Sequence, residues 1–284
     1  MKTRLLRTIS QVREYTFGIR QRGLKVGCVP TMGALHAGHG SLIDHARAES
    51  DAVVVTIFVN PIQFDRKDDY ERYAKGLESD LTFCELRDVD AVFTPSVEEM
   101  YPEPIATFVD SLDLSNYLCG ASRPGHFRGV ATVVAKLFNI VQPDAAFFGE
   151  KDAQQLAVIQ QMARDLNFPI RIVAVPTVRE SDGLALSSRN QRLTPEERLN
   201  APAIYQALTE GRRMIENGEW QAEQVKTTLL NRLAGQPAFR VEYVDIVDPK
   251  TMQPVDSISG DVRIAAAVWV GSTRLIDNVL CRAS

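Results

Sequence analysis

The feature that most constrains the fold is an alternation of short apolar runs with amphipathic segments over the first two-thirds of the chain. The apolar runs are KVGCVPT (25–31), AVVVTIFVN (52–60), DAVFTP (90–95), AAFFG (145–149) and IRIVAVPTV (170–178). Their nearly continuous hydrophobicity is typical of strands covered on both faces. Helical spacing of apolar residues follows in 41–50, 78–89, 129–142 and 151–167. The pattern predicts an α/β, Rossmann-like parallel sheet with helices on both faces.

The pattern changes near residue 178. A polar loop, 178–193, is followed by helical patterns over 194–218 and 220–235, and then by strand patterns over 239–248, 261–271 and 273–281. Helices followed by neighbouring strands predict a smaller C-terminal α+β domain with a mainly antiparallel sheet. We therefore expect two domains, at 1–177 and 178–284.

Charge and composition favour a small-molecule partner. The 284 residues carry a formal net charge of -4. Binding to nucleic acid through counterion release needs clustered Lys and Arg, so no nucleic-acid surface is expected.

The cysteines and the apolar runs bear on the cellular compartment. Cys28, Cys84, Cys119 and Cys281 stand too far apart for a redox pair or a zinc spacing, so we expect free thiols. The N-terminal segment lacks the apolar core of a signal peptide, and no apolar run is long enough to span a bilayer. The sequence predicts a cytoplasmic protein without a membrane partner.

The stretch PTMGALHAGHGSL (30–42) joins the first predicted strand to a helix expected to begin near His39. A helix N-terminus offers backbone N–H groups and partial positive charge, and glycines allow a polyanion close to the backbone. His36 and His39 can then face one side as donors to a phosphate oxygen. Metal binding is the weaker alternative, since Asp44 is the only nearby acidic residue, and plain turn residues are another. His45 is expected on the solvated face.

Further stretches near the ends of predicted strands carry polar side chains. FVNPIQF (58–64) places Gln63 at the sheet edge, FFGEKDAQQL (147–156) places Lys151, Asp152 and Gln155 at a helix start, GLALSSRN (183–190) offers Ser187, Ser188 and Arg189, and ASRPGHFRGV (121–130) adds Arg123, His126 and Arg128. Each has an ordinary alternative when taken alone: a solvated glutamine, a capped helix with a surface lysine, a loop without ligand, or a charged rim. Their convergence favours a site for a phosphorylated ligand and a small polar substrate.

As an ordered set, PTMGALHAGH, FVNPIQF, SRPGHFRGV, FFGEKDAQQL and ALSSRN resemble the pantothenate synthetase family. These enzymes are ATP-dependent ligases that condense pantoate with β-alanine. The resemblance runs from the first strand to RLIDN near the end of the chain. The two-histidine element alone would indicate only the wider superfamily of nucleotidylyltransferases and related synthetases.

The resemblance implies which residues bind ATP. One group would be the loop Met32, Gly33, Ala34, Leu35, His36, Ala37, Gly38 and His39. A second group would be Gly149, Glu150, Lys151, Asp152, Val178, Leu186, Ser187, Ser188 and Arg189. The catalytic members would be His39, His36, Lys151 and Arg189, which offset charge on the phosphates.

The resemblance also implies the remaining contacts. Gln63 and Gln155 would bind pantoate, with Met32, Val133 and Val134 against its methyl groups, and Asp80 would hold Mg²⁺ through water. The reaction would pass through a pantoyl adenylate and release pyrophosphate and AMP, in the biosynthesis of pantothenate and coenzyme A. The second domain would close over the active site, and the enzyme would be a homodimer.

Two stretches depart from the family pattern. Where many members have YPRT, this chain has YAKG (73–76), with Ala74 and Lys75, and where many have LEG it has LCG (118–120), with Cys119. A local charge role at these positions is therefore open, but neither change removes an element of the predicted site.

Three other functions compete. A nucleotidylyltransferase for a phosphorylated acceptor would share the first loop but would want more basic residues. A fragment of an aminoacyl-tRNA synthetase conflicts with the acidic charge balance. A nucleotide sensor would retain Lys151 and Arg189 and could dispense with His36 and His39.

Overall fold

The computed structural model describes residues 3–71, 73 and 76–283. Ala74 and Lys75, the first departure from the family pattern, lie outside the described residues. The chain divides into two compact units: 1–111, 123–150 and 158–176 form the first, while 112–122, 151–157 and 177–284 form the second. The second unit therefore includes two short pieces from the interval 1–177, and the domain boundary inferred from the sequence stays a prediction.

The first unit contains a parallel sheet, as predicted. Its strands are β1 (Arg4–Leu6), β2 (Val26–Thr31), β3 (Ala52–Ile57), β4 (Ala91–Phe93), β5 (Ala145–Gly149) and β6 (Arg171–Val175), in the order β1-β4-β3-β2-β5-β6. All six residues of β3 and the first four of β2 are buried, which explains their continuous hydrophobicity.

The α-helices of the described chain are α1 (Ile9–Arg20), α2 (Ala37–Glu49), α3 (Lys67–Glu71), α4 (Leu77–Glu85), α5 (Val97–Met100), α6 (Leu118–Ser122), α7 (His126–Val141), α8 (Ala153–Asp165), α9 (Pro195–Asn200), α10 (Ala203–Glu216) and α11 (Ala222–Ala234). Short 3-10 helices span Pro61–Gln63, Glu150–Asp152 and Ser188–Arg192. In the first unit α2 packs on β2, β3, β5 and β6, while α1 and α7 pack on each other and on β2. Helices thus cover both faces of the sheet, which confirms the predicted fold class.

Two elements at the N-terminus were not predicted. β1 is an edge strand of three residues, two of them exposed, and therefore shows no apolar run. α1 is stabilised at its start by a capping box of Thr8 and Gln11, and it buries only Val12, Thr16 and Ile19. So few buried residues on one side of the helix give only a weak helical pattern in the sequence, and α1 was therefore missed.

Several predicted boundaries were wrong for identifiable reasons. The helix predicted over 194–218 is two helices, α9 and α10, with Pro202 as the residue before α10, because proline lacks the N–H that a continuous helix would need. α2 begins at Ala37 and α7 at His126, both earlier than expected, and β3 ends at Ile57.

The second unit contains an antiparallel sheet of β7 (Phe239–Val247), β8 (Asp261–Val270) and β9 (Thr273–Arg282), as predicted. Alternate residues of β8 and β9 pack into a core with α10 and α11. Ile264, Ala266, Val268, Leu275, Val279 and Cys281 belong to this core face. The opposite face carries Trp269, Arg274 and Asn278, because successive strand residues point to opposite sides.

All four cysteines are free and buried, which confirms that prediction. Within the described residues, no helix combines the length and the apolar character that crossing a membrane would require.

Cys119, the second departure from the family pattern, belongs to a polar cluster on that opposite face. Its Sγ lies 3.1 Å from the Tyr243 hydroxyl, and Arg274 Nη2 lies 3.5 Å from the same sulfur. Arg274 donates two hydrogen bonds to Glu242, from Nε at 3.0 Å and from Nη2 at 2.8 Å. Trp269 Nε1 also donates to Glu242, at 2.8 Å. In this chain Glu242 therefore supplies the carboxylate that pairs with Arg274, beside the Cys119 side chain.

This cluster generates a prediction about acid stability. Burial would raise the pKa of Glu242, but the hydrogen bonds from Arg274, Ser122 and Trp269 and the charge of Arg274 outweigh it and hold the pKa at about 2, below the usual 4.5. A depressed carboxyl pKa stabilises the fold above the unfolded pKa, and the stabilisation disappears as pH falls through the folded pKa. We expect Glu242→Gln to reduce the free energy of unfolding by about 2 to 3 kcal/mol at pH 7, with the difference shrinking between about pH 4.5 and 2.

Chemical denaturation across this pH range measures the effect. Asp261→Asn is the matched control, because the Asp261–Arg282 pair has side-chain exposures of 50% and 82% and should contribute little at any pH. A Glu242→Gln penalty that is the same at every pH would contradict the assignment.

Candidate active site

The strand order of the first unit defines where a site can form. From β2 the chain proceeds through α2 to β3 on one side, and from β5 through α8 to β6 on the other side. The order therefore reverses between β2 and β5, which are parallel neighbours. Ligands of such sheets bind outside the carboxyl ends of the strands at this switch point. The loop 32–39 follows β2, and Gly149 and Glu150 lie at the end of β5.

His36 and His39 are fixed by hydrogen bonds at the start of α2. His36 is the N-cap residue, and its Nδ1 accepts from the backbone N–H of Gly38 at 3.1 Å. His39 Nδ1 accepts from the backbone N–H of His36 at 3.2 Å. The ring centroids are 4.2 Å apart and the rings are tilted by 43°. Because each Nδ1 accepts a hydrogen bond, a neutral ring carries its proton on Nε2.

Gly33, the first of the two glycines in the loop 32–39, has a backbone conformation that few other residues adopt. Gly33 has φ of +85°, and a Cβ added there would lie 2.9 Å from Asp80 Oδ2 and 3.1 Å from Ile57 Cγ2. The Thr31 hydroxyl accepts from the Gly33 N–H at 3.2 Å and donates to the carbonyl of Thr56 at 2.7 Å. The loop thus begins with its backbone tied to the end of β3.

Asp80 on α4 holds the next two residues of the loop. Its Oδ2 accepts from the Ala34 N–H at 2.9 Å, and its Oδ1 accepts from the Leu35 N–H at 2.8 Å. Burial raises the pKa of Asp80, and these two backbone hydrogen bonds oppose that rise. The loop shape therefore depends on a carboxylate 45 residues further along the chain than Leu35.

The Mg²⁺ role suggested for Asp80 does not fit this arrangement. The residue is 3% exposed and both carboxylate oxygens accept backbone hydrogen bonds. Among the residues that the structure describes, no three or more His, Cys, Asp and Glu side chains form a group suited to a metal ion.

Gln63 lies in a buried polar cluster after β3. Asn60 Nδ2 donates to Gln63 Oε1 at 3.0 Å and to the Gly129 carbonyl at 3.1 Å, while the Tyr101 hydroxyl donates to Asn60 Oδ1 at 2.8 Å. Burial raises the pKa of Tyr101, so the hydroxyl keeps its proton. With Oε1 occupied, Gln63 Nε2 lies 3.1 Å from Met32 Sδ, a weak acceptor. The amide is therefore oriented to donate to a stronger acceptor.

His126 and Arg123 support the backbone of the same segment. His126 Nδ1 lies 2.7 Å from the Gln63 carbonyl, and Arg123 Nη1 lies 3.2 Å from His126 Nε2. Arg123 also forms an ion pair with Asp65 at 2.7 Å. The sequence left these residues as substrate contacts or a charged rim, and the structure places them in hydrogen bonds and an ion pair around residues 63–65.

Gly129, on α7, allows the 3-10 helix Pro61–Gln63 to approach closely. A Cβ at this position would lie 2.4 Å from the Ile62 carbonyl oxygen and 2.6 Å from Gln63 Cα. Val133 and Val134 lie further along the same helix and are 6% and 4% exposed. The first unit thus brings Met32 and Gln63 into contact and joins Asp80 to the histidine loop.

In the second unit, the segment with Lys151, Asp152 and Gln155 begins with the 3-10 helix Glu150–Asp152 and continues into α8. Gln154, which the sequence did not single out, is buried and donates to the carbonyls of Leu114 at 2.8 Å and Tyr117 at 2.7 Å. Gln155 is only partly buried, consistent with a different direction on the helix. The two neighbouring glutamines therefore differ in burial.

Val178 and Leu186–Arg189 flank a tight turn of the second unit. The Leu186 N–H donates to the Val178 carbonyl at 3.0 Å, and Arg179 pairs with Ala185 in an isolated bridge. Gly183 has φ of +94°, as the turn requires. Ser187 caps the following 3-10 helix, Ser188–Arg192, by accepting from the Arg189 N–H at 3.2 Å. The polar loop expected here therefore has regular structure at the residues of interest.

Several supporting residues escaped the sequence analysis. Asn60 and Tyr101 orient Gln63 in the first unit, and Gln154 holds the start of α8 in the second. Arg179 belongs to the turn and pairs with Asp277, while Asn278 contacts Lys151. Asn60 and the Asp277–Asn278 pair stand within quoted motifs, FVNPIQF and RLIDN, but their partners are distant in sequence.

Gly129 provides a test of the Gln63 arrangement. We expect Gly129→Ala to displace residues 61–63, because no rotation of a methyl group relieves contact with backbone atoms at 2.4 Å and 2.6 Å. The cost should be about 1 to 3 kcal/mol in the free energy of unfolding, measured by denaturant titration. Gly18→Ala in α1 is the matched control: nothing lies within 4 Å of the added Cβ, so stability should stay equal or rise. Equal stability of both variants would contradict the close approach.

Comparison with known proteins identifies the family. A model of the family described as pantoate-beta-alanine ligase matches residues 4–280. The pantothenate synthetase of Moorella thermoacetica is 55% identical over 276 residues, which cover 97% of this chain and 98% of that protein.

Two solved structures agree with this result. The crystal structure of pantothenate synthetase from Thermus thermophilus has a TM-score of 0.90 and 46% identity, over 98% of this chain and 99% of that one. The pantoate-beta-alanine ligase of Francisella tularensis, complexed with beta-gamma ATP and beta-alanine, has a TM-score of 0.81 and 36% identity, over 98% and 97% of the two chains. The chain is therefore a ligase that belongs to the pantoate-beta-alanine ligase family.

Proposed function

We propose that this ligase condenses (R)-pantoate with β-alanine at the expense of ATP, through a pantoyl-adenylate intermediate. The products are pantothenate, AMP and pyrophosphate, which places the enzyme in pantothenate and coenzyme A biosynthesis. The observation that carries the proposal is the pair of histidines held by backbone hydrogen bonds at the start of α2, at the switch point of a parallel sheet.

The histidine pair suits transfer of an adenylyl group. With both Nδ1 atoms accepting from the backbone, Nε2 of each neutral ring is the donor to the α-phosphate oxygens. The partial positive charge at the N-terminus of α2 adds to this stabilisation. The residues Met32, Gly33, Ala34, Leu35, Ala37 and Gly38 supply the surrounding backbone.

Further phosphate contacts come from Lys151, Ser187, Ser188 and Arg189, whose charges and donors offset the negative charge of the departing pyrophosphate. Gly149, Glu150 and Asp152 bind the nucleotide, with Asp152 near its ribose, while the Val178 backbone contacts the adenine and Leu186 lies over the phosphates. These assignments rest on the family motifs that this chain retains.

Pantoate binds through Gln63 and Gln155. The orientation of the Gln63 amide supports a hydrogen bond from Nε2 to a pantoate oxygen, since its Oε1 accepts from Asn60. Met32 packs against the pantoate methyl groups, and Val133 and Val134 contribute apolar surface.

The chemistry needs no nucleophile from the protein. The pantoate carboxylate attacks the α-phosphorus, a new P–O bond forms, and pyrophosphate leaves. The neutral amine of β-alanine then attacks the activated carbonyl, loses a proton, and expels AMP to form the amide. The protein supplies positioning, electrostatic stabilisation and exclusion of water from the adenylate.

Three finer assignments complete the proposal. Mg²⁺ accompanies ATP, since such sites bind it through substrate phosphates with few protein carboxylates, and the buried Asp80 carboxylate holds the loop backbone instead. The enzyme acts in the cytoplasm, as the apolar pattern of its sequence predicts, and it is a homodimer, as its family resemblance implies.

The decisive experiment is pantoate-dependent exchange of labelled pyrophosphate into ATP without β-alanine. Exchange that requires pantoate supports a reversible acyl adenylate. If folded, ATP-binding protein shows no exchange with or without β-alanine, while pantothenate still forms, the adenylate step is wrong. If pantothenate does not form either, the proposed function fails.

Because Nδ1 and Nε2 of His39 have different partners, we expect different effects from two substitutions of this residue. Asn can retain the acceptor near Nδ1 but lacks the Nε2 donor, whereas Gln can place an amide donor near Nε2. We expect His39→Asn to lower the exchange rate by about 10²- to 10³-fold with little change in the free energy of unfolding, because one transition-state donor is lost. His39→Gln should retain more activity and cost about 1 kcal/mol in stability through the lost cap hydrogen bond. Full activity in His39→Asn would exclude His39 from the mechanism.

Gln155 and Gln154 allow a paired test of substrate binding. We expect Gln155→Ala to weaken pantoate binding by about 5- to 30-fold in calorimetry and to leave ATP binding unchanged, because one substrate hydrogen bond is lost. Gln154→Ala should instead lower thermal stability, since the Leu114 and Tyr117 carbonyls lose a buried donor. Equal loss of ATP and pantoate affinity in a stable Gln155→Ala protein would contradict the assignment.

A further inference from the structure

The motif RLIDN (274–278) has no role in the reaction described above, although two of its members are buried polar residues. Asp277 and Asn278 on β9 are each 6% exposed. Because successive strand residues point to opposite faces, Asp277 shares the side of Leu275 and Val279, while Asn278 shares the side of Arg274. One dipeptide can therefore contact two separate chain segments of the second unit.

Asn278 contacts the lysine segment. Its Nδ2 donates to the backbone carbonyl of Lys151 at 3.0 Å, and its Oδ1 accepts from Arg263 Nη1. A guanidinium can only donate and a carbonyl can only accept, so these two neighbours fix the orientation of the amide. The position of the Lys151 backbone is thereby tied to β9.

Asp277 contacts the turn that precedes the serine–arginine segment. Its carboxylate accepts two hydrogen bonds from Arg179, at 2.6 Å and 2.9 Å. Arg179 also donates to the Gly183 carbonyl at 3.1 Å and stacks on the Tyr205 ring, with its Cζ 3.7 Å from the ring centroid. Two hydrogen bonds between one guanidinium and one carboxylate fix the relative orientation of the two groups and also strengthen their interaction.

The two contacts are joined through one backbone. The Asn278 N–H donates to Asp277 Oδ1 at 2.8 Å, and the Asn278 carbonyl accepts from Arg179 Nη2 at 3.3 Å. The 3-10 helix Ser188–Arg192, which carries Ser188 and Arg189, also lies against β9. A shift at Asn278 would thus be transmitted to both segments.

We propose that Asp277 and Asn278 are positioning residues that hold Lys151 and the Ser187–Arg189 segment in a fixed relation for the phosphates of ATP. The inference rests on the proposed function, because that function assigns both segments to ATP. Neither residue touches substrate. Their effect is to reduce the conformational freedom that ATP binding would otherwise have to remove.

Asn278→Asp is the sharpest test, since it retains the size of the side chain and the acceptor for Arg263 while removing the donor to the Lys151 carbonyl. We expect the Kd and KM for ATP to rise about 5- to 30-fold and kcat to fall, because Lys151 also acts on the departing pyrophosphate, while the KM values for pantoate and β-alanine stay nearly unchanged. A rise in KM that is confined to ATP is not expected from general destabilisation.

Asn217→Asp is the matched control for stability. Asn217 is the C-cap residue of α10, which packs on the core face of the sheet, and a negative charge at a helix C-terminus is mildly destabilising. This control should lower the melting temperature without changing the Kd for ATP. If Asn278→Asp binds ATP as the parent does, or weakens all three substrates to the same extent, the inference is overturned.

Asp277→Asn tests the same idea on the other segment and serves if Asn278→Asp does not fold. It removes the charge that pairs with Arg179, and we expect the same selective rise in the Kd for ATP; an unchanged Kd contradicts the inference. Calorimetric titration of the parent protein with ATP distinguishes a failure of the proposed function from a failure of the positioning role. A parent that binds no ATP overturns the proposed function, whereas a parent and variants that bind ATP equally overturn only the positioning role.

Discussion

The Asp80 carboxylate accepts the backbone N–H groups of Ala34 and Leu35, and the candidate site of the first unit depends on this interaction. A loop that turns through Gly33 has backbone donors that no sheet or helix can satisfy. A buried carboxylate satisfies two of them and fixes the approach to α2. His36 and His39 then complete the series by accepting from the next backbone donors. The N–H groups of Gly33, Ala34, Leu35, His36 and Gly38 are therefore all bonded within the protein, and this series of hydrogen bonds ends where the helix begins.

The same interaction bears on the Mg²⁺ role that the sequence suggested for Asp80. Asp80 stands in a helix beside other acidic residues, and a carboxylate near an ATP loop suggests a metal ligand. The structure shows a backbone acceptor instead, because the residue is buried and faces two N–H groups. Burial and partner cannot be deduced from residue type. A residue's burial and its partners depend on the order of strands in the sheet, which determines which chain segments lie side by side.

The sequence was informative where local pattern determines structure. Continuous apolar runs predicted the parallel strands, since both faces of β3 are buried, but the three residues of β1 at the sheet edge left no such pattern. In the site, the positions of Gln63 and Gln155 near the ends of predicted strands drew attention to them, and their pantoate role came from the family resemblance. Their supports were missed, since Asn60 bonds to a carbonyl 69 residues away and Asn278 to one 127 residues away. Contacts at such separation are set by topology, which one sequence does not reveal.

The second unit shows how a small sheet can organise segments that have little structure of their own. Apart from Asp277, the core-face residues of β8 and β9 that are buried against α10 and α11 are mostly apolar, and their burial stabilises the unit. The opposite face carries Glu242, Arg274 and Asn278, which bond to pieces of the chain at 112–122 and at Lys151. Cys119 is compatible with the fold for this reason: Glu242 supplies the carboxylate that Arg274 requires, and the thiol needs only the weak contacts that it makes with Tyr243 and Arg274.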